Sequence, residues 1–379
     1  MDRRQFLLGL GAAGVIGAAA LAGCSNDETT PTTGGDKTPA GGDGAGALVG
    51  VLMPTKTSQR WIDDGNNVKK ALEDKGYKVD LLYANDDIPQ QQQQLDAVLG
   101  KNAKALIIAS IDGTTLANGL KKAGEQGVKV IAYDRLINET PNVDYYVTFD
   151  NQNVGVQQGT SLLQGLGVLD ADGKETDKKG PFNVEIFSGA VTDNNSQFFY
   201  NGAMSVVQKY IDSGVVKVQS GQTTLEQTAT PYWKQEEAQK RCDAILGGFY
   251  AKGEKMDGAL CAYDGLSRGV LTSIQGAGAP VPIITGQDAE VPSCKLILDG
   301  NQYSTILKDT RDLAAKAVDM VDAVLQGKEP EVNDTKTYDN KVKVVPAFLL
   351  ESVVVTKDNL MKVVVDSGYY TKEQVESGK

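Results

Sequence analysis

The side chains in this 379-residue sequence with the strongest capacity to hold a ligand are Arg60, Trp61, Asp134, Arg135, Asp193, Asn195, Trp233, Asp264, Asp288 and Lys308. Carboxylates accept and guanidinium, ammonium and amide groups donate hydrogen bonds, and charged partners make the stronger ones. The two tryptophans, one in each half of the chain, add flat faces against which C–H groups pack. A pyranose needs this mixture, since it carries directional hydroxyls around its edge and apolar C–H faces above and below. Covalent catalysis is a poorer fit. The chain contains no histidine, which removes Ser-His-Asp and Cys-His nucleophiles, His metal ligands and the imidazole proton shuttle.

Six of these residues also have a plainer reading. Asp193 and Asp264 follow apolar runs and suit helix N-caps. Trp233 suits a core position, Asp134-Arg135 a structural ion pair, and Lys308, before Asp309 and a helix, a solvated surface. The joint pattern favours a site, because nearly every predicted strand ends in such a group.

Those strands are Leu48–Met53, Val79–Ala84, Ala105–Ala109, Val128–Tyr133 and Tyr145–Phe149, then Asn183–Phe187, Val215–Val218, Gly258–Ala262, Val281–Thr285 and Tyr303–Leu307. Helical spacing over Arg60–Lys75, Pro89–Lys101 and Thr114–Gln126 alternates with the first series. Helices near Ser196–Ile211, Lys234–Tyr250, Leu266–Gln275, Val291–Leu298 and Leu313–Gln326 alternate with the second. Val342–Val345 and Leu349–Val355 read as a late strand pair, followed by short helical turns. This rhythm predicts an α/β protein of two doubly wound parallel-sheet lobes. Ligands in such sheets bind beyond the carboxyl ends of the strands, where the residues above collect.

The N-terminus reads as an address. Asp2-Arg3-Arg4-Gln5-Phe6-Leu7 precedes an uncharged stretch too short to span a bilayer, the form of an export signal of twin-arginine type. Leu21-Ala22-Gly23-Cys24 resembles the lipobox of bacterial lipoproteins, which implies cleavage after residue 23 and a lipid on Cys24. Gly9 to Gly14 matches a dinucleotide fingerprint, but it falls in the signal and follows no strand, so it is rejected. Residues 24–47 are small, polar and rich in Gly and Pro, an anchor and flexible tether with a typical reach of about 26 Å. The net charge of −11 excludes a nucleic-acid partner, since phosphate binding needs concentrated Lys and Arg.

Three features have modest readings. The five glutamines Gln90–Gln94 suit a solvated helix face. Asp170-Ala171-Asp172-Gly173 has its glycine too early for an EF-hand loop and reads as a surface turn. Beyond Cys24, Cys242, Cys261 and Cys294 are either one disulfide and a free thiol, with three pairings open, or three buried thiols.

Several long blocks carry a resemblance: MPTKTSQRWIDDGNN (53–67), IASIDGTT (108–115), VKVIAYDRLI (128–137), TFDNQNVG (148–155), TGQDAEVPS (285–293) and NDTKTYDNKVKVVP (333–346). They resemble the periplasmic multiple-sugar-binding proteins of the ChvE type, with D-xylose- and ribose-binding proteins as more distant relatives. The resemblance covers residues 48–370. It implies a type I periplasmic-binding-protein fold with crossings near Phe149-Asp150, Lys308-Asp309 and Phe348-Leu349. Lobe 1 would then be 48–149 plus 309–348, and lobe 2 would be 150–308 plus 349–379. It also implies that Trp61 and Trp233 sandwich the sugar, while Arg60, Asp134, Arg135, Asp193, Asn195, Asp264, Asp288 and Lys308 hydrogen-bond it. Tyr263 stands where the xylose- and ribose-binding relatives carry asparagine.

The expected protein is a lipid-anchored, monomeric receptor without cofactor or enzymatic activity. It would hand D-galactose, D-glucose, L-arabinose or D-xylose to a membrane permease driven by a cytoplasmic ATPase. The alternatives are a lipoprotein sensing sugar for a signalling partner, and a receptor for a nucleoside or furanosyl autoinducer. A repressor of the same fold would open with a DNA-binding headpiece, and a glycosidase would pair two catalytic acids without interleaved Arg, Asn and Lys.

Overall fold

The computed structural model describes residues 46–379. The signal segment 1–23 with its glycine motif, Cys24 and the tether up to residue 45 lie outside the described residues. Strands and helices first alternate as β1 (Leu48–Met53), α1 (Gln59–Asp74), β2 (Lys78–Tyr83), α2 (Ile88–Gly100), β3 (Ala105–Ile108), α3 (Ala117–Glu125), β4 (Lys129–Tyr133) and β5 (Tyr145–Phe149). The chain continues through α4 (Asn151–Gly165), β6 (Phe182–Phe187), α5 (Asn194–Asp212), β7 (Val216–Val218), α6 (Leu225–Thr228) and α7 (Gln235–Phe249). Then come β8 (Gly258–Cys261), α8 (Asp264–Gly276), β9 (Ile283–Ile284), α9 (Val291–Asp299) and β10 (Ser304–Leu307). It closes with α10 (Thr310–Leu325), β11 (Ala347–Leu350), β12 (Val353–Thr356) and α11 (Lys372–Ser377).

Two parallel sheets result, in the orders β2-β1-β3-β4-β5-β11 and β7-β6-β8-β9, while β10 pairs antiparallel with β12. The first sheet is buried on both faces, which explains its nearly unbroken apolar runs. Val49, Val51 and Met53 of β1 pack with Val68 and Leu72 of α1 and Leu313 and Ala317 of α10. Leu52 faces the other way, onto Leu95 and Val98 of α2. The second sheet repeats the plan: Val184 and Ile186 pack with Leu162 and Val207, and Phe187 packs with Cys242 and Val270. In each sheet the strand order reverses beside the first strand, and both reversals open onto the same space.

The sequence reading misses α4 altogether. Asn-Gln-Asn-Val-Gly-Val-Gln-Gln-Gly lacks an apolar stripe and holds two glycines with poor helix propensity. Packing against α5 compensates. A Cβ on Gly155 would stand 2.1 Å from the Phe199 carbonyl oxygen, and one on Gly202 would stand 2.1 Å from that of Gln152. The two helices therefore touch backbone to backbone, and Asp150 caps the start of α4 by accepting from the Asn153 N–H.

Three other expectations are corrected. Val342–Val345 forms no strand and makes only the isolated bridge between Asp339 and Val344. Leu349–Val355 is two strands in different sheets, because Leu349 and Leu350 pair with Thr148 and Phe149 whereas Val353–Val355 pair with β10. The chain accordingly leaves the first sheet after Leu350 and pairs with β10 from Val353. Of the five glutamines, Gln92 and Gln93 are exposed as expected, but the run is not solvated throughout. Gln91 is buried, donating to the Ala109 carbonyl and accepting from the Ile111 N–H, while Gln94 donates to the Tyr83 carbonyl. Asp170–Gly173 is the exposed turn expected of it, the Asp170 carboxylate accepting from the N–H groups of Asp172 and Lys174. Cys242, Cys261 and Cys294 are free and buried, and burial pushes the Cys242 thiol up to about 12.

Candidate ligand-binding site

Both sheets direct their carboxyl ends at one cavity of ≈ 630 Å³. Arg60 and Trp61 enter on the first turn of α1, Asp134 and Arg135 follow β4, and Asp193 and Asn195 begin α5. Trp233 precedes α7, Asp288 follows β9, and Lys308 follows β10 where the chain crosses between the sheets.

The floor is a buried charge cluster. Arg60 donates from Nη2 to Asp134 at 2.6 Å and from Nε to Asp64 at 3.0 Å, and its Nη1 stands 3.5 Å from Asp288. Lys308 Nζ lies 3.5 Å from Asp134 and 3.3 Å from Asp288, and its side chain is only 1% exposed. The solvated-surface reading of this lysine therefore fails. Burial alone would raise the Asp134 carboxyl, but Arg60 and Lys308 outweigh it and hold the group well below the usual carboxylate range. Burial likewise opposes the charge on Arg60, yet Asp134, Asp288 and Asp64 together push it well above its ordinary value. Asp64, which the sequence reading passed over, sits beneath Arg60 and accepts from Tyr133. Its burial pushes it up to about 7 against the pull of Arg60.

Backbone geometry fixes the floor as firmly as charge does. Asp134 adopts a left-handed φ of 58°, a conformation that costs a non-glycine residue energy. Its carbonyl is pinned by Tyr146 at 2.6 Å, Thr148 at 3.1 Å and the Asn195 amide at 2.7 Å. Asn195 thus links the second sheet to the first, and its own oxygen accepts from Tyr146 and Asn151.

Trp61 and Trp233 both line the cavity. The Arg60 and Arg135 guanidinium carbons lie 4.6 Å and 5.0 Å from the Trp61 ring centre, which fixes the indole by stacking. Trp233 donates from Nε1 to Asp193 at 3.1 Å, and Arg135 approaches the same carboxylate at 3.3 Å. Phe199 and Tyr263 meet the Trp233 ring edge-on, each at 6.2 Å. The ring passes so close to Gly189 that a Cβ there would lie 2.0 Å from it. Asp193 is both helix cap and cavity wall, since its other oxygen accepts from the Asn195 N–H.

Asp264 is the exception among the expected residues, because it does not line the cavity. Its carboxylate lies behind the wall, accepting from the Glu290 N–H and the Gln302 amide, both at 2.9 Å. Burial, reinforced by the charge of Glu290, pushes it up to about 8. The reason is directional: Asp264 is the first residue of α8 and turns inward, and the neighbouring Tyr263 and Gly265 line the cavity instead. Glu290 has a visible role, accepting from Ser58 at 2.6 Å across the cleft and from Tyr263 at 2.7 Å. Gln287 also lay outside the expected set. It is buried, lines the cavity, and its Oε1 has no protein partner. A buried acceptor left without a partner is rare, and a donor that reached it would remove that cost.

Residues 49–329 match the family model of the periplasmic binding protein domain. The chain belongs to that family. It is 53% identical over 333 residues to the multiple sugar-binding periplasmic receptor ChvE of Rhizobium radiobacter, covering 86% of this chain and 92% of that protein. It is 52% identical to the multiple sugar-binding periplasmic protein SbpA of Azospirillum brasilense, covering 91% and 93%. An ABC transporter solute-binding protein from Clostridium phytofermentans, solved with bound β-D-glucose, is 46% identical. It aligns with a TM-score of 0.82 over 86% of this chain and 99% of that one. A carbohydrate transporter solute-binding protein from Chloroflexus aurantiacus, in complex with D-glucose, is 34% identical with a TM-score of 0.76, covering 86% and 97%. The periplasmic binding protein family and these relatives are receptors rather than enzymes, and the type I periplasmic-binding-protein fold is shared with them.

Proposed function

We propose that the protein is the substrate-binding receptor of an ABC sugar importer, closing its two lobes on one aldose. The observation that carries this reading is the buried charge cluster in a cavity that Trp61 and Trp233 also line. Arg60 and Lys308 are set among Asp134, Asp288 and Asp64, so the floor offers strong donors and acceptors whose charges already have protein partners. A neutral polyol satisfies such a floor, whereas a charged ligand would bring an uncompensated charge into a buried space. The glucose carried by the relatives from Clostridium phytofermentans and Chloroflexus aurantiacus supports the same class.

In this reading Arg60, Asp134, Arg135, Asp193, Asn195, Asp288 and Lys308 hydrogen-bond the hydroxyls, with Gln287 added, and Trp61 and Trp233 cover the ring. The lobes are taken as 48–149 with 309–350, and 150–308 with 351–379. Closure rotates them about Asp150, Lys308-Asp309 and Glu351-Ser352, presenting a joint surface to a permease and its ATPase. The receptor works as a monomer, held by a lipid on Cys24 at the outer face of the cytoplasmic membrane.

Tryptophan fluorescence of the purified protein is titrated with D-galactose, D-glucose, L-arabinose and D-xylose. A saturable response at micromolar concentration is expected for at least one, equivalent to about −8 kcal/mol. A folded, ligand-free sample that responds to none of them overturns the reading. For the anchor, Cys24→Ala should move the protein from the detergent phase to the aqueous phase in a Triton X-114 partition, and retention in the detergent would refute lipidation at Cys24.

A further inference from the structure

The cavity is larger than one sugar ring requires and changes character toward its mouth. At about 30 Å³ per water, ≈ 630 Å³ corresponds to roughly twenty waters, well beyond what the twelve non-hydrogen atoms of a hexopyranose displace. Its inner part is the buried floor already described. Its outer part is lined by groups reaching solvent: Asn85 and Asp86 from the β2–α2 loop, facing Tyr232, Lys234, Gln235 and Glu236 before and at the start of α7.

Both outer segments have an unusual backbone. Asn85 and Asp86 have φ of 52° and 62°, and Tyr232 and Trp233 have φ of 54° and 58°. Consecutive left-handed residues without glycine persist only where the surroundings impose them, and they gather at ligand clamps. Trp233 is explained by its bond to Asp193 and its fit over Gly189. Tyr232 has no such explanation. It is 50% exposed, outside every apolar cluster among the described residues, with the Lys234 ammonium 5.6 Å from its ring. Burial raises the Asp86 carboxyl, and a Thr55 hydrogen bond and the charges of Arg135 and Lys234 work against that rise, so the two rims sense one another across the mouth.

An exposed aromatic ring flanked by an ammonium, amides and carboxylates repeats, at the rim, the composition that suits a pyranose on the floor. We propose that this rim is a second sugar subsite, which lets the receptor take a disaccharide whose first unit occupies the floor and whose second packs on Tyr232. The proposal rests on the sugar-receptor reading of the floor and assigns that site a wider substrate class.

The test is isothermal titration calorimetry of the intact protein with D-glucose, D-galactose, and monosaccharide-free cellobiose, maltose, lactose and gentiobiose. At least one disaccharide is expected to bind within tenfold of the better monosaccharide. Tyr232→Ala should weaken that disaccharide fivefold or more and shift the monosaccharide less than twofold, while Tyr232→Phe retains the disaccharide. Monosaccharide binding with no disaccharide binding overturns the subsite and leaves the receptor reading intact. A disaccharide affinity that Tyr232→Ala leaves unchanged, or lowers no more than that of the monosaccharide, also overturns it. Binding of no sugar at all overturns both.

Discussion

The floor of the cavity and the wall after β9 are prepared for a ligand in opposite ways. On the floor every charge already has protein partners: Arg60 holds Asp64 and Asp134, and Lys308 lies between Asp134 and Asp288. In the wall, Gln287 is equally buried but its side-chain oxygen is left without one. The floor is thus organised before a ligand arrives, and its side chains support both the fold and the site. The wall group is organised by its backbone alone. Removing a floor residue should therefore damage stability and binding together, and removing the wall group should damage binding only.

The largest effect is expected at the centre of the floor. Asp134→Ala leaves Arg60 and Lys308 buried with one carboxylate fewer, and breaking a buried pair in this way costs about 3–5 kcal/mol. Thermal unfolding should register that loss in the free protein. Sugar affinity should fall roughly a hundredfold, the equivalent of about 3 kcal/mol of charge-assisted hydrogen bonding. A variant that binds weakly but melts like the parent would separate the two roles and break the comparison.

A second effect is tied to pH and comes from behind the wall. Asp264 is pushed from an ordinary 3.8 up to about 8, so the folded protein keeps its proton where the unfolded chain has lost it. Between about pH 4 and pH 8 the native state binds more protons, and stability through this group falls as pH rises. Asp64, at about 7, acts in the same direction over a narrower window. Asp134, held low, acts in the opposite one: its contribution is present above the ordinary value and is lost as pH falls below it. Asp264→Asn mimics the neutral acid. Its melting temperature relative to the parent should climb from pH 5 to about pH 8 and then level off, and a constant difference throughout would show that Asp264 is ionised in the fold.

How much of this was legible beforehand follows from which forces write themselves into local sequence. Strands β1 and β3 to β5 were read to within a residue, because a sheet buried on both faces demands unbroken apolar runs. Helix α4 was invisible because its stability comes from backbone contact with α5, which selects glycine where local propensity would select alanine. Strands β11 and β12 were fused because Leu349–Val355 is apolar almost throughout, and nothing local marks the change of partner at Glu351-Ser352. The site followed from looking past strand ends, but that rule gives position and not direction. It therefore placed Asp264 in the cavity.

The contact between α4 and α5 is the next place to apply force. Gly155→Ala drives a methyl group toward the Phe199 carbonyl, and overpacking of this kind costs about 1–3 kcal/mol. Gly247→Ala, in α7 with open space around it, should instead stabilise by about 1 kcal/mol, the helix-propensity difference. Because α5 carries Asn195, Gly155→Ala should also weaken sugar binding, whereas Gly247→Ala should leave it unchanged. Chemical denaturation and a glucose titration on both variants would show whether backbone contact, rather than helix propensity, positions the second-sheet side of the site.

The smallest effect is the sharpest test of the opening contrast. An unpartnered buried oxygen is already a cost to the free protein, so deleting Gln287 takes no hydrogen bond from its side-chain oxygen. Gln287→Ala should melt at or slightly above the temperature of the parent. Its sugar affinity should fall by about fivefold, matching the loss of about 1 kcal/mol from one neutral hydrogen bond. Asp264 should keep its place, since its N–H donates to the Gln287 backbone carbonyl and not to the side chain. If stability and affinity fell together here as they do at Asp134, the wall would be part of the same prepaired network as the floor.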